Sequence, residues 1–389
     1  MEKRNNDKKV YKPFYKILGV AFFAIPLVFM VLCLVMPDKG FSEKENRTLS
    51  KHPDGGLVKA LAEKENSAYE QYVNDQFVFR DSWISLKAGV DIVLGKRESN
   101  GVWYCDDDYL MEAFAAPSEE KLSSMLNAIK DFKANNPDLK EYFLLAPNAV
   151  NILEDKMPTG APETDQNIYI DRVKNEVSAV GINFIDVRNA LRGHKDEQLY
   201  YKTDHHWTTL GAYYAYKAAS AELALSGTEP EYESLLVTED FQGTLSAKSG
   251  FRSGMTEEIN VFVPTEETSF EYVVNYIEER DRTASFFKTE MLETRDKYAL
   301  FFGGNHSQIR IYTPSAPNRN LLIFKDSYAN SFIPFLAPHF SKIIVIDPRY
   351  YYGNVQNLIA AESITEILYL VNANTFFADS SLEITLGGK

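Results

Sequence analysis

The stretch NLLIFKDSYANSF, residues 320–332, contains the change of pattern that decides the fold. Residues 321–324 are a short apolar run that predicts a buried strand, and a helical apolar pattern follows at 328–338. Ser327 lies between them, on a predicted sharp turn from strand to helix. A serine in such a turn exposes its Oγ, and its own backbone N–H at a helix N-terminus can help to hold a developing oxyanion. The alternative is that Ser327 only caps the helix.

The same alternation of strand and helix patterns extends over residues 119–380. The runs EYFLLAP, INFIDV, KIIVID and EILYLV have the composition of buried strands, and amphipathic helical stretches separate them. This pattern predicts an α/β fold with a parallel sheet and helices on both faces. Residues 226–318 break the alternation with Gly, Ser and Thr and with the β-like runs INVFVP, SFEYVVNY and SQIRIYT. We therefore expect a partly β insertion there.

The N-terminal residues predict a membrane anchor. Residues 1–16 hold six Lys/Arg and two acids, and residues 17–36 are an uncharged apolar run of 20 residues, enough to span a bilayer. The basic flank predicts a cytoplasmic N-terminus and an extracytoplasmic body. A cleaved signal peptide is the alternative, although its apolar region is usually only about 7–15 residues. The expected organisation is a cytoplasmic tail at 1–16, a transmembrane helix at 17–36, a juxtamembrane segment packing on the main domain at 37–118 and the α/β domain at 119–380.

Charge and cysteine content exclude several classes of function. The net charge is −14, and since residues 1–16 carry +4 the remainder carries −18 (−14 minus +4). A body this acidic repels phosphate backbones, so we do not expect nucleic-acid binding. The chain has two cysteines, and Cys33 lies within the predicted anchor. Neither an intramolecular disulfide nor a structural zinc site is expected.

A second motif, YYKTDHHWTTLG at residues 200–211, supplies a candidate base. A serine hydroxyl is a poor nucleophile unless a base removes its proton, and that base is usually a histidine oriented by a carboxylate. Asp204 stands two positions before His206, so it can bond one ring nitrogen while the other faces outward. Adjacent histidines, here His205 and His206, cannot both do this from one backbone orientation, and their side chains tend to point apart. Metal binding by the three residues and a purely structural histidine pair are the alternatives, and Trp207 fits either the core or an aromatic wall of the site.

The two motifs together resemble known families. TDHHW before a helix and DSYANSF after a late strand resemble the DHHW proteins and the SGNH-type polysaccharide O-acetyltransferases typified by the alginate acetylation proteins. The resemblance covers about residues 40–380. It implies an SGNH-hydrolase-like (flavodoxin-like) fold with a circularly permuted motif order, because the base precedes the nucleophile. It also implies Ser327 as the nucleophile, His206 as the base and Asp204 as the acid that orients it.

The resemblance implies roles for further residues near the site. Asp326 would brace the serine turn. His205 would not be catalytic, but His205 and Trp207 are candidates for the substrate pocket. The Gly and Asn blocks that complete the oxyanion hole of ordinary SGNH hydrolases have no unambiguous counterpart here. Asn148, which follows the EYFLLAP strand, Tyr328, and Arg349, which follows KIIVID, are candidates for the oxyanion or substrate pocket. A turn residue or a structural ion pair is the alternative for each.

The function implied by the resemblance is extracytoplasmic O-acetyl transfer to an exopolysaccharide or cell-envelope polymer through an acyl-serine. No metal or organic cofactor is required. Because acetyl-CoA is absent outside the cytoplasm, the implied donor partner is a membrane-bound O-acyltransferase. A carbohydrate acetyl esterase with the same triad and a non-catalytic glycan-binding or scaffold protein stay open as alternatives.

Overall fold

The structure is a computed structural model, and it describes residues 2–42, 47–53, 66–225, 229–251, 254–315 and 318–387. The chain divides into two compact units, Met1–Val90 and Asp91–Lys389. The α-helices are α1 Glu2–Val35, α2 Asn66–Gln76, α3 Arg80–Val93, α4 Glu119–Asn135, α5 Ala149–Ile152, α6 Gln166–Ser178, α7 Arg188–Gly193, α8 Thr209–Ala219, α9 Thr244–Ser249, α10 Ala329–Leu336, α11 Val355–Glu362, α12 Ala373–Ala378 and α13 Ser381–Leu386.

The strands of the described residues fall into four sheets. They are β1 Phe41–Ser42, β2 Arg47–Thr48, β3 Glu98–Ser99, β4 Val102–Tyr104, β5 Leu110–Glu112, β6 Lys140–Ala146, β7 Asn183–Phe184, β8 Tyr232–Phe241, β9 Glu257–Pro264, β10 Val273–Tyr276, β11 Asp281–Thr283, β12 Gln308–Tyr312, β13 Asn320–Lys325, β14 Lys342–Ile346 and β15 Glu366–Asn372.

The first unit contains an apolar helix of membrane-spanning length. The segment Pro13–Val35 of α1 has a mean hydropathy of 2.8 over its most apolar window, and none of that window is buried. In the described part of the chain it is the one helix with this length and composition. It fits a single-pass anchor or a signal segment, as the apolar run predicts. Within the same unit, Gln76 of α2 bonds the backbone of Lys39 and Ser50, which ties α2 to the chain after α1.

The second unit is built on an eight-stranded sheet in the order β11-β10-β12-β14-β13-β15-β6-β7. Five neighbouring strands, β14, β13, β15, β6 and β7, run parallel to one another. Their central members read as continuous apolar runs because parallel strands are covered on both faces, and residues 321–325 and 366–372 are buried throughout. The predicted α/β architecture with a central sheet is confirmed.

The crossover helices divide between the two faces. The connection from β13 to β14 moves toward the β11 edge of the sheet. The connections from β14 to β15 and from β6 to β7 move toward the β7 edge. Since such crossovers are right-handed, α10 lies on one face, and α11 and α6 lie on the other. α8 packs against α10, and α4 packs against α6 and α13. The helices therefore cover both faces, as predicted.

The sheet is mixed, which the prediction of a parallel sheet did not include. In the predicted insertion, β8 and β9 form a two-stranded antiparallel sheet, but β10, β11 and β12 extend the central sheet at one edge. β12 pairs antiparallel with β14, with Gln308 opposite Ile346. The chain just before β12 is thereby brought to the edge of the sheet where the parallel strands end.

The INFIDV strand is shorter than its apolar run suggests. β7 has only two residues, which pair with Tyr142 and Phe143 of β6 at the sheet edge. The permuted motif order relative to ordinary SGNH hydrolases and the boundaries at 37–118 and 119–380 stay predictions.

Candidate active site

Polar residues collect where the parallel strands end, the edge at which open α/β sheets bind ligands. The strand β13 leads into Asp326 and Ser327, and three neighbouring strands end beside it. The polar residues that follow those neighbours are Asn148 after β6, Asp347 and Arg349 after β14, and Asn372 at the end of β15.

The serine turn is held rigidly. The carboxylate of Asp326 accepts the backbone N–H of Tyr328 at 2.9 Å on one oxygen, and on the other it accepts the backbone and side-chain N–H groups of Asn372 at 2.8 and 2.5 Å. Burial raises the pKa of Asp326, and these donors oppose that rise. Ser327 is the one residue between positions 321 and 337 that is not buried. Within the described residues its backbone N–H has no hydrogen-bond partner, so that N–H is available to an oxyanion.

The structure brings Asp204, His206 and Ser327 into one hydrogen-bonded chain. Asp204 Oδ1 lies 2.6 Å from His206 Nδ1, and His206 Nε2 lies 2.7 Å from Ser327 Oγ. A carboxylate only accepts, so Nδ1 carries the proton and Nε2 is free to accept the serine O–H. This arrangement of nucleophile, base and orienting acid is the geometry that activates a serine. The catalytic roles themselves stay predictions.

Burial and neighbouring charges set the protonation of the pair. Burial would raise the pKa of Asp204, but His205, His206 and the Thr244 N–H outweigh it and hold that pKa well below its usual range. Burial, followed by His205, lowers the pKa of His206 to about 4, although Asp204 opposes this shift. At neutral pH the acid is therefore ionised and the base is neutral.

His205 does not point away from His206, contrary to the expectation for adjacent histidines. The two rings lie 3.9 Å apart, centroid to centroid, at 37°. The expectation fails because residues 202–206 form a bend instead of a strand or helix. His205 Nδ1 lies 3.0 Å from Thr244 Oγ1, and 29% of its side chain is exposed. It is placed beside the triad, with Nδ1 also 3.5 Å from Asp204 Oδ1, and among the described residues no hydrogen bond joins it to Ser327.

Asp204, His205 and His206 also form a cluster whose potential metal-ligand atoms lie within 4.8 Å of one another. Both ring nitrogens of His206 are already used, one by Asp204 and one by Ser327. A metal ion would have to break one of these bonds. The hydrogen bonds leave neither ring nitrogen of His206 free, and we assign no metal to the cluster.

The insertion supplies two contacts to Asp204 that the sequence did not reveal. The second carboxylate oxygen accepts the backbone N–H and the hydroxyl of Thr244 at 2.8 and 3.0 Å. The preceding Gly243 donates its N–H to Thr203 Oγ1 at 2.8 Å. A β-carbon at position 243 would lie 2.3 Å from Asp204 Cβ and 2.5 Å from the Thr203 carbonyl oxygen. Glycine is thus required for the insertion to approach the acid.

We expect Gly243→Ala to displace Asp204 and to reduce activity on the order of 10²-fold, the usual cost of a displacement of about 1 Å in a catalytic constellation. Overpacking should also cost about 1–3 kcal/mol of stability. The measurements are acetyl release from an activated ester and thermal unfolding. Gly193→Ala is the control, because a β-carbon there has nothing within 4 Å. Wild-type activity of Gly243→Ala would contradict the requirement for close approach.

Asn148 and Tyr328 lie at the site but are occupied in bracing it. The Asn148 Nδ2 group donates to the Tyr328 hydroxyl at 3.1 Å and to Asn372 Oδ1 at 3.2 Å, so both of its N–H bonds are used. The Tyr328 hydroxyl donates to the carbonyl oxygen of His205, and its ring is fully buried. In this arrangement the two residues join the histidine loop to the sheet. Their proposed part in the oxyanion pocket stays a prediction.

Trp207 belongs to the core and not to a pocket wall. It is completely buried. Its Nε1–H donates to the Tyr328 carbonyl oxygen at 2.9 Å and to Ser331 Oγ at 3.0 Å. Since both acceptors belong to the first turns after Ser327, Trp207 fixes the histidine loop against the start of α10.

Arg349 forms an ion pair beside the serine turn. Its guanidinium holds Asp347 with two bonds of 2.9 and 2.7 Å, and 28% of its side chain is exposed. The same carboxylate lies 3.3 Å from the buried Nζ of Lys325, which also donates to Asn305 Oδ1 at 2.7 Å. Burial lowers the pKa of Lys325, and Asp347 opposes that shift. The structural ion pair is therefore present, and Arg349 keeps an exposed part that a substrate can reach.

Comparisons with known proteins agree with this fold. Residues 101–292 match the family model described as SGNH hydrolase-like domain, acetyltransferase AlgX. A solved structure of a DHHW family protein from Eubacterium siraeum aligns with a TM-score of 0.63 at 23% identity, over 74% of this chain and 95% of that chain. Bacillus cereus PatB1, solved with a sulfonyl adduct, aligns with a TM-score of 0.59 at 19% identity, over 72% and 98% of the two chains. A comparison with curated proteins finds no match.

The fold and the site thus define a protein with an SGNH hydrolase-like α/β domain. Over residues 101–292 that domain is similar to the SGNH hydrolase-like acetyltransferase domain described by the AlgX family model. The DHHW and PatB1 structures share its fold. The resemblance predicted from TDHHW and DSYANSF is confirmed. The family match includes Asp204 and His206 and ends before Ser327.

Proposed function

We propose that the protein is an O-acetyltransferase that esterifies a hydroxyl of an exopolysaccharide or cell-envelope polymer. The observation that carries the proposal is the hydrogen-bonded chain from Asp204 through His206 to a partly exposed Ser327. The match to an acetyltransferase family model supports acetyl transfer among the reactions open to such a triad.

In the first half-reaction, Ser327 Oγ attacks the acetyl carbonyl carbon of the donor ester. His206 Nε2 takes the serine proton, and Asp204 stabilises the imidazolium that forms. The backbone N–H of Ser327 faces the oxyanion of the tetrahedral intermediate. The intermediate collapses when the bond to the donor oxygen breaks and His206 returns the proton to that oxygen. The products are the acetyl-serine ester and the free donor alcohol.

In the second half-reaction, a sugar hydroxyl attacks the acetyl-serine. His206 takes the hydroxyl proton and then gives it to Ser327 Oγ as the acyl–serine bond breaks. The acetyl group is now an ester of the sugar, and Ser327 is restored. Water attacking the same intermediate would make the protein an esterase, so the acceptor decides between the two functions.

The test is an assay of the full chain in detergent with an activated acetyl ester, with and without an oligosaccharide acceptor. A transferase forms acetylated oligosaccharide, and the acceptor increases the turnover of donor. Free acetate as the sole product, at a rate that no acceptor changes, would favour the esterase. No acetyl-serine and no product would favour the non-catalytic scaffold, a function against which the 2.7 Å contact of His206 with Ser327 argues.

A sulfonyl reagent offers a direct test of the nucleophile. The PatB1 structure carries a sulfonyl adduct, and sulfonyl fluorides react with activated hydroxyl groups. We expect a sulfonyl fluoride to modify Ser327 and to block acetyl release. Peptide mass analysis should locate the adduct, and an adduct on any other residue would oppose the assignment.

The proposed location is the outer side of the cytoplasmic membrane, with residues 17–36 as an uncleaved anchor. The basic flank and the apolar segment Pro13–Val35 support this topology. The donor partner in this proposal is a membrane-bound O-acyltransferase. Protease added outside spheroplasts should digest the body, whereas a protected body would overturn the topology and the envelope polymer as acceptor.

Activity should persist into acid because the pKa of His206 is lowered to about 4. Protonated His206 cannot accept the serine proton, so the rate of acetyl-enzyme formation should fall as pH falls through about 4 and not through about 6.5, the ordinary histidine value. The measurement is kcat/KM against pH with an activated ester, and circular dichroism at each pH separates titration from unfolding. An acid limb at pH 6.5 or above would contradict the dominance of burial at His206.

A further inference from the structure

One aromatic residue of the insertion lies against both the base and the nucleophile. The ring of Tyr298 stacks on the imidazole of His206, with 3.8 Å between centroids and 10° between planes. Its hydroxyl lies 3.1 Å from the backbone carbonyl oxygen of Ser327, to which it can only donate. It also lies 3.2 Å from Ser331 Oγ, the atom that accepts the Trp207 N–H. Tyr298 is buried, with 4% of its surface exposed.

The insertion brings Tyr298 to this place through the sheet. Tyr298 is part of a 3₁₀ turn, Lys297–Leu300, that precedes β12. Because β12 runs antiparallel to β14, the chain before β12 arrives at the edge where β13 ends. A residue nearly 30 positions before Ser327 thus reaches both members of the reacting pair.

The stacking of the Tyr298 ring on His206 contributes a different energy when the imidazole is neutral and when it is protonated. A neutral imidazole gains only packing from the tyrosine face. An imidazolium gains a cation–π attraction in addition, and this attraction is larger in a desolvated site. His206 becomes an imidazolium as Ser327 loses its proton. An interaction that strengthens on the way to the transition state accelerates the reaction.

We infer that Tyr298 is a positioning residue of the proposed acetyl transfer. Its ring fixes the plane of the His206 imidazole and stabilises the imidazolium, and its hydroxyl holds the carbonyl of the Ser327 turn. The insertion therefore completes the active site and is not a peripheral addition to it. This inference rests on the proposed function.

The test compares Tyr298→Leu with Tyr298→Phe in the full chain in detergent. Rapid mixing with an activated acetyl ester yields a burst, whose amplitude counts folded sites and whose rate constant reports acylation. We expect Leu to lower the rate constant roughly 10-fold, the cation–π contribution of a desolvated site. Phe should restore most of the rate constant because it keeps the ring. A merely structural role would lower the amplitude and leave the rate constant unchanged.

Tyr352→Leu is the matched control, since Tyr352 is 94% exposed, and it should behave as the wild type. A second readout does not depend on acyl transfer: the ring current of Tyr298 should shift the imidazole proton resonances of His206 upfield in the wild type and in Tyr298→Phe, but not in Tyr298→Leu. If Tyr298→Leu does not lower the burst rate constant, or if Tyr298→Phe lowers it equally, the inference is overturned and the proposed function is not. The absence of both acetyl-serine and acetyl release in the wild type would overturn the proposed function and this inference with it.

Discussion

Ser327→Ala and His206→Ala are each expected to lower acetyl release from an activated ester on the order of 10³-fold or more. The serine substitution removes the atom that carries the acetyl group, and the histidine substitution removes the acceptor of its proton at 2.7 Å. Because the two act as one unit, the double variant should be little slower than either single variant. The measurement is the initial rate for all three variants.

Two histidine variants serve as controls for this series. His205→Ala should be milder, because in the described structure no hydrogen bond joins His205 to Ser327, although its bond to Thr244 places it beside the triad. His194→Ala should match the wild type, since His194 is a surface histidine that pairs with Glu197. An inactive His205→Ala with an active His206→Ala would make His205 the base. Wild-type rates in all triad variants would remove the serine mechanism.

The elements that the sequence predicts well are those whose burial is decided locally. The strands β6, β13, β14 and β15 are continuous apolar runs bounded by polar residues, so their type follows from the pattern alone. The sequence also predicts the β-like runs within residues 226–318. It does not predict which strands they pair with, because an apolar strand does not specify whether it joins the central sheet or forms a separate one. The antiparallel edge from β10 to β12 is decided by long-range pairing.

The site divides in the same way. Asp204, His206 and Ser327 could be proposed because an acid two residues before a histidine and a serine after a strand are local patterns, and because both patterns resemble the motifs of known families. Thr244 and Tyr298 carry no such pattern, since each reaches the triad only through the fold of the insertion. No local signal in the sequence identifies either of them.

The candidates for the oxyanion pocket show a different limit. Asn148 was placed correctly at the end of its strand, because strand ends share one edge of the sheet. The acceptors of its NH₂ group depend on atoms from distant segments, and here they are Tyr328 and Asn372. Sequence thus located the side chain but not its hydrogen bonds. The need for glycine at position 243 also depends on the fold, because a β-carbon there would lie 2.3 Å from Asp204 Cβ.

Asp204→Asn tests the role of the acid with almost no change of shape. The carboxylate accepts four hydrogen bonds: Oδ1 takes two from His206, at 3.0 Å from its backbone nitrogen and 2.6 Å from Nδ1, and Oδ2 takes two from Thr244. An asparagine replaces one oxygen by a donor, so in either orientation its NH₂ group faces a backbone N–H. A buried donor left unpaired costs about 1–3 kcal/mol. Thermal unfolding should therefore show a modest loss of stability.

The catalytic loss should be far larger than this loss of stability. With the amide oxygen kept on Thr244, the NH₂ group faces His206 Nδ1, which can then only accept. The imidazole proton moves to Nε2, which lies 2.7 Å from Ser327 Oγ, and a protonated Nε2 cannot take the serine proton. We expect acetyl-enzyme formation to slow on the order of 10⁴-fold, as the wrong tautomer does in serine triads. Asp131→Asn, at an exposed position of α4, is the control. An Asp204→Asn rate within tenfold of the wild type would show that the tautomer of His206 is fixed by another group and would leave Asp204 a structural role only.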